Sequence, residues 1–206
     1  MKRFFLMCVV IVSVLAMAIL ACSPNRTEDT STSSTTTTIS PPDDSIYVML
    51  SGDDANDGLS AETAMLTIQT ALGEAVSLGY GTVVVAGGRY TNGYGLLDEG
   101  SNGLYLIGGD YTGLSLLGGW NQDFNARDEE TVLDGGASVK HVVWINDVTN
   151  ITMDGFILSN GYAYFETIAW DLYGAGLLAK GLCASTLSDL VLAGNYAAYH
   201  GGFYFD

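Results

Sequence analysis

Short apolar runs separated by glycine, asparagine and aspartate dominate the chain after residue 81. Each run is only two to five residues long and is bounded by turn residues, which predicts a short β-strand. No helical pattern lies between the runs, so a doubly wound α/β sheet is excluded. The runs are Thr82–Ala86, Leu104–Ile107, Leu114–Leu117, Val132–Leu133, Val142–Ile145, Ile151–Met153, Phe156–Leu158, Gly176–Ala179, Leu190–Leu192 and Phe203–Phe205.

The apolar pattern returns at a fixed offset of 34 residues. The segment that starts at Val143 aligns with the one that starts at Leu177. On this register Thr152 falls on Thr186, Phe156 on Leu190, Ile157 on Val191, Leu158 on Leu192 and Tyr162 on Tyr196. A unit of short strands and turns cannot bury its apolar face alone, so it must stack on a copy of itself. The register predicts parallel stacking, with Val143, Ile157, Leu177 and Val191 pointing into one shared interior.

One helix is predicted before the repeats. Its apolar residues recur at the helical spacing, with Thr67 as the N-terminal cap and Gly79 at the end. A short strand, Ile46–Leu50, precedes it. The apolar helix residues are Ile68, Ala71, Leu72, Ala75 and Val76.

The N-terminal sequence predicts an export signal followed by a linker. Lys2 and Arg3 precede an apolar run that ends in Ile19-Leu20-Ala21-Cys22, and this tetrapeptide resembles the lipobox of bacterial lipoproteins. The resemblance implies that residues 1–21 are removed and that Cys22 carries the lipid. A plain signal peptide or a single membrane anchor is the alternative. Residues 22–44 are rich in serine and threonine and predict a disordered tether, which leaves 45–206 as the folded domain.

The charge balance narrows the range of partners. The chain has 7 basic and 23 acidic residues, and loss of Lys2 and Arg3 with the leader changes its net charge from −16 to −18. Such a chain repels nucleic acid and anionic lipid. Cysteine adds little, because Cys8 and Cys22 lie in the leader and at its end, and a lone Cys183 is typical of a small core residue.

The stretch from Ile46 to Leu72, followed by residues 81–91, resembles the N-terminal signature of right-handed parallel β-helix proteins of the pectin-lyase-like superfamily. The resemblance implies an all-β, right-handed parallel β-helix whose single helix caps the N-terminal end. Gly87-Gly88-Arg89-Tyr90 departs from the Pro-Gly-Thr-Tyr found in many relatives. Residues 195–205 resemble the repeats of polymorphic outer-membrane proteins. The chain ends inside an expected core strand, which predicts that it is the N-terminal part of a longer product.

The acidic loop before the helix is a candidate calcium site. Asp53, Asn56 and Asp57 supply closely spaced oxygen ligands and Gly58 permits a sharp turn. The EF-hand spacing is incomplete, however, because Ala55 stands at a ligand position. The favoured interpretation is an Asn-Asp-Gly turn that leads into the helix.

Catalytic residues are not indicated by any converging motif. Arg89, Lys140 and Lys180 are the candidate bases for a polysaccharide lyase. A glycosidase would need a pair of carboxylates, for which the candidates are Asp147, Asp154 and Asp171. The favoured interpretation assigns no catalytic residue, with Asp147 and Asp154 in turns. His141 and His200 have no partner motif.

A long insertion between repeats carries the candidate ligand-binding residues, which are Tyr162, Tyr164, Phe165, Trp170 and Tyr173. Aromatic rings on a loop stack on sugars or anchor a protein partner, although they also serve to cover the flank of a core. The sequence therefore predicts a lipid-anchored binding or adhesion module for a glycan or protein at the outer membrane or cell surface. The alternatives are a lyase or glycoside hydrolase whose active site lies on segments beyond Asp206, and a structural spacer.

Overall fold

The computed structural model describes residues 11–13, 38–92, 95–96, 103–163, 172–182 and 184–206. These residues form mostly strands, with one α-helix, α1 (Ile68–Leu78), and one turn of 3-10 helix (Gly109–Tyr111). The strands are β1 (Ile11–Ser13), β2 (Ser45–Val48), β3 (Thr82–Ala86), β4 (Gly88–Asn92), β5 (Gly95–Leu96), β6 (Leu104–Ile107), β7 (Ser115–Trp120), β8 (Thr131–Asp134), β9 (Val143–Asn146), β10 (Thr152–Ser159), β11 (Tyr162–Ala163), β12 (Leu177–Lys180), β13 (Thr186–Ala193), β14 (Tyr196–Ala197) and β15 (Phe203–Phe205).

Parallel pairing joins strands that lie far apart in sequence. Within the described ranges, every pairing between two named strands is parallel. β6, β9, β12 and β15 form one sheet, and β11 pairs with β14. The remaining strands form a nine-stranded sheet. The predicted offset of 34 residues is confirmed, because β10 pairs with β13 as Thr152 opposite Thr186 and Leu158 opposite Leu192.

Strand β10 changes its pairing partner in the middle. Its first half, Thr152–Asp154, pairs with β7, whereas its second half, Phe156–Ser159, pairs with β8. Between the halves Gly155 has a φ of 78°, which glycine adopts readily. Asp189 in β13 (φ 46°), which the register places beside Gly155, is also left-handed, and so is Gly119 in β7 (φ 82°), one position beyond the residue beside Gly155. We call Gly119, Gly155 and Asp189 the corner residues, because they lie where β10 changes its partner from β7 to β8.

Buried residues of the nine-stranded and the four-stranded sheets belong to one hydrophobic core. In the nine-stranded sheet apolar residues lie opposite one another on successive strands and form columns, such as Val83, Leu116 and Met153. On the four-stranded sheet Leu104, Val143 and Leu177 form the matching column. All of these side chains are almost completely buried. The column arrangement explains why the apolar pattern recurs from one repeat to the next.

The prediction that Ile157 and Val191 point into the interior is wrong. Val191 is 53% exposed and Ile157 is half-buried, whereas their neighbours Phe156 and Leu158 are buried. The left-handed corner at Gly155 breaks the simple alternation that the β-strand pattern assumes, so the side chains after the corner are out of phase with Met153 before it. Val143 and Leu177 do face the core, as predicted.

The predicted helix is confirmed, including both of its ends. The Thr67 side chain accepts a hydrogen bond from the Thr70 amide, and Gly79 adopts a left-handed conformation with its N–H bonded to the last turn. Ile68, Ala71, Leu72 and Ala75 are buried. The helix packs on β2 and β3, and β2 is the end strand of the sheet.

Two segments before residue 45 contact the folded part. Ile11–Ser13, within the predicted signal peptide, pairs in parallel with Thr186–Ser188 at the edge of β13. The Ile39 amide, within the predicted tether, donates a hydrogen bond to the Asn125 carbonyl. Removal of residues 1–21 stays a prediction. Lipidation of Cys22 also stays a prediction, and Cys22 lies outside the described residues.

Candidate functional site

Two tyrosines from successive repeats form the first exposed aromatic pair. Tyr162 in β11 lies directly opposite Tyr196 in β14, and their rings stack with centroids 5.3 Å apart and planes 20° from parallel. Tyr162 is 37% exposed and Tyr196 is 51% exposed. Because stacking covers part of each ring while much of it remains in solvent, the pair offers a flat amphipathic surface to a ligand.

A second aromatic group lies where the insertion returns to the sheet. Tyr173 forms a parallel bridge with Tyr199, and the two rings stack at 5.2 Å. Tyr173 also lies 5.8 Å from the His200 ring and 4.7 Å from the Tyr204 ring. Tyr199 is 55% exposed. We call the four tyrosines Tyr162, Tyr173, Tyr196 and Tyr199 the tyrosine pairs.

The structure thus gives Tyr162 and Tyr173 partners that sequence reasoning did not include in the site. Tyr196 was visible in the sequence, since it lies 34 residues after Tyr162. Tyr199 is not at that offset from Tyr173, so no periodic signal pointed to it. Tyr164, Phe165 and Trp170 lie outside the described residues.

The two ends of the insertion meet closely at the edge of the core. The Ala175 carbonyl accepts a hydrogen bond from the Val142 amide. A Cβ atom at Gly161 would collide with the same carbonyl. Glycine at position 161 therefore allows the segments before and after the insertion to approach each other closely.

Three of the candidate lyase and glycosidase residues, Arg89, Asp147 and Asp154, contact different partners and not one another. Arg89 forms an ion pair with Asp134 at 2.5 Å, and Arg127 forms one with Asp154 at 2.6 Å. Ser188 also donates a hydrogen bond to Asp154. Asp147 has a left-handed backbone (φ 54°), as expected for a turn residue, and it accepts a hydrogen bond from the Asn146 side chain. These contacts explain the charged side chains without substrate.

Lys140, Lys180 and Asp171 complete the candidate catalytic set. Lys180 is the last residue of β12, opposite Asn146 in β9, and Lys140 lies in the turn before β9. Asp171 lies outside the described residues. Arg89 lies in the nine-stranded sheet and Lys180 lies in the four-stranded sheet, so these two candidate bases belong to different sheets.

Asp134 is the most strongly held carboxylate near the candidate residues. Burial raises the pKa of its carboxyl, but hydrogen bonds from the Asn160 side chain, the Gly136 amide and Arg89 outweigh burial and lower the pKa below its usual value. The Asn160 bond is 2.7 Å long. The group is therefore ionised at neutral pH and ties β8 to β4 and β10, which is a structural role.

The polar side chains of the acidic loop form local hydrogen bonds. Asp53 accepts from the Ala55 amide, Asp57 accepts from the Leu59 amide, and the Asn56 side chain donates to the Ala64 carbonyl. A hydrogen bond from the Thr63 side chain and the Leu59 amide lower the pKa of Asp57. These are the bonds of a turn.

Asp54, which the candidate calcium set omitted, holds the loop onto the helix. Its carboxylate accepts from the amides of Leu66 and Thr67 and from the Thr67 hydroxyl. Within the described ranges no group of three or more His, Cys, Asp or Glu residues could hold a metal ion. Calcium binding by Asp53, Asn56 and Asp57 stays a prediction.

Of the residues left unassigned by the sequence, His141 is buried and its Nδ1 lies 3.2 Å from the Gly174 carbonyl. His141 thereby contacts the end of the insertion. His200 belongs to the second aromatic group, and Cys183 lies outside the described residues.

Comparisons of the chain with protein-family models, curated proteins and solved structures found no match. The described part of the chain contains no helix long and apolar enough to cross a membrane.

Proposed function

We propose that the chain is a right-handed parallel β-helix, anchored by a lipid on Cys22 to the outer membrane or cell surface, and that it binds a glycan or a protein. Parallel pairing at a fixed offset and the corner residues support the β-helix. The lipobox-like sequence and the serine- and threonine-rich segment support the anchor and the tether.

The observation that carries the binding function is the pair of exposed tyrosine stacks. Each of the two pairs is stacked, and three of the four rings are between 37% and 55% exposed. Rings that served only to cover the core would be buried, as Phe156 is. Tyrosine presents an apolar ring and a polar hydroxyl at little cost in side-chain entropy, which suits it to sugars and to protein surfaces.

Replacement of Tyr196 and Tyr199 with alanine is expected to reduce binding of the full-length chain to a glycan array, or to surface proteins in a cell-adhesion assay, by at least about tenfold. The two rings are hot-spot candidates of the kind that dominate an interface. Loss of two stacking contacts is also expected to lower the free energy of unfolding, by about 1–3 kcal/mol. Circular dichroism and thermal melting of the same samples separate the two effects.

Replacement of both tyrosines with phenylalanine is the matched control, because it keeps the stacks and removes only the hydroxyls. It should retain the fold and most of the binding to apolar sugar faces. Unchanged binding by the alanine variant would reject the tyrosine pairs as the site. Failure of the wild-type chain to bind either class of ligand would favour a spacer, and release of shorter oligosaccharides would favour a lyase or hydrolase.

A further inference from the structure

A second surface feature includes the three corner residues and none of the tyrosine pairs. It is a groove of about 380 Å³ on the nine-stranded sheet. It crosses three successive strands, since Gly119 of β7, Gly155 of β10 and Asp189 of β13 all line it. Two of the three corner positions are glycines, and the Arg127 guanidinium packs against Gly155, where a Cβ atom would collide with it.

The floor of the groove is apolar. Ile157 and Val191, which lie opposite each other in β10 and β13, line it together with Phe156. Val191 is more than half exposed and Ile157 is half-buried. Ile157 and Val191 are out of phase with the buried Phe156 and Leu158 because of the left-handed residues at 155 and 189, so the exposed part of the floor is a consequence of these corner residues.

The rim of the groove is acidic. Glu129, Glu130 and Asp189 line it and are all exposed. Within the described ranges none of these three carboxylates has an ion-pair partner. A ligand that brings positive charge to this rim therefore meets uncompensated negative charge.

Arg127 is the basic residue that lines the groove, and the protein itself neutralises it. Its guanidinium forms the 2.6 Å ion pair with Asp154 and donates from Nε to the Gly118 carbonyl at 2.9 Å. It also lies 6.0 Å from the centre of the Trp120 ring. Arg127 is thus fixed in the wall of the groove and does not reverse the sign of the rim.

We propose that this groove binds an extended basic segment of a partner protein. Lysine and arginine side chains place aliphatic stems on an apolar floor while their charged ends reach an acidic rim. The proposal commits to a partner of opposite charge, because a second copy of a chain with net charge −16 would be repelled. The groove is distinct from the tyrosine pairs, so this inference does not rest on the proposed function.

The test measures binding of a fluorescent hexalysine peptide to the full-length chain by anisotropy, at low and at physiological salt. The groove variant carries three neutral substitutions and should bind the peptide about tenfold more weakly, since it loses three exposed charge pairs, each of modest strength. Asparagine tolerates the left-handed conformation at position 189. The substitutions are Glu129→Gln, Glu130→Gln and Asp189→Asn.

A control variant loses the same three charges from exposed positions that do not line the groove. It should weaken binding less than about twofold, because charges beyond the Debye length are screened at physiological salt. The exposed floor residue provides an independent variant, Val191→Ser, which should weaken binding without loss of charge. The control substitutions are Asp43→Asn, Asp44→Asn and Asp110→Asn.

Equal loss of binding in the groove and control variants would overturn the proposal, because it would mean attraction by the net charge of the whole chain. Equal affinity for hexalysine and for spermine, with no effect of Val191→Ser, would also overturn it in favour of a simple polycation. The Tyr196 and Tyr199 alanine variant should keep its affinity for hexalysine, which separates failure at this groove from failure at the tyrosine pairs.

Discussion

Replacement of Leu158 with alanine is expected to lower the free energy of unfolding by about 2–5 kcal/mol. Leu158 is completely buried, and it lies opposite Leu133 on one side and Leu192 on the other. Its removal leaves a cavity between the neighbouring leucines of the column. The surrounding backbone is held by hydrogen bonds between parallel strands, so it cannot easily move to fill the cavity. Chemical denaturation of the two proteins measures the difference.

The matched control is Val191→Ala, which removes an aliphatic side chain of similar type in the adjacent repeat. Val191 is 53% exposed, so its loss should change the free energy of unfolding by no more than about 0.5 kcal/mol. A simple two-residue alternation through β10 and β13 predicts the same cost for Val191 as for other core positions. Comparable destabilisation by the two substitutions would therefore contradict the corner at Gly155 and Asp189.

Replacement of Cys22 with alanine is expected to abolish attachment to membranes altogether, or to block maturation of the precursor. The expectation follows from Ile19-Leu20-Ala21-Cys22, because the acylated thiol would be the link between the tether and the lipid. Fractionation of cells that express each form should move the protein from the membrane fraction to the soluble or precursor pool. Cys8→Ala, within the leader, is the control and should leave attachment unchanged.

Mass spectrometry of the mature wild-type protein tests the lipid anchor directly. A lipid anchor requires a mature N-terminus at Cys22 with added acyl mass. An unmodified Cys22 in mature protein would mean that the leader is a plain signal peptide, and the proposed location would then lose its basis.

Strand positions and register were predictable from sequence because burial in stacked repeats imposes the same apolar pattern on each copy. Thr82–Ala86, Leu104–Ile107 and Phe203–Phe205 have the predicted bounds. The pairing of β10 with β13 follows the 34-residue alignment residue by residue. Strand β4 (Gly88–Asn92) was not predicted. It contains glycine and polar residues, so it lacks the apolar pattern of a strand although its backbone is paired.

The direction of side chains after a corner was not predictable from alternation alone. A single left-handed residue inside a continuous strand shifts the phase of the side chains that follow it, and at Asp189 no glycine signals that residue. The candidate binding surface was predicted in part, since Tyr162 and Tyr173 do lie on the flank with other rings. Their partner Tyr199 and the groove along the corner depend on the three-dimensional course of the chain, which local spacing does not encode.

Parallel stacking of the repeats in the 34-residue register underlies both candidate surfaces, and cysteine cross-linking tests it most directly. In a full-length chain whose three native cysteines are changed to serine, Thr152→Cys and Thr186→Cys lie directly opposite each other in β10 and β13. Adjacent strands are about 5 Å apart, within reach of a disulfide. Mild oxidation should therefore link this pair rapidly, as seen by mass spectrometry after proteolysis. The pair Thr152→Cys with Ser188→Cys is displaced by two residues and should not link. Rapid linkage of the displaced pair, with none for the opposed pair, would contradict the register and the account that depends on it.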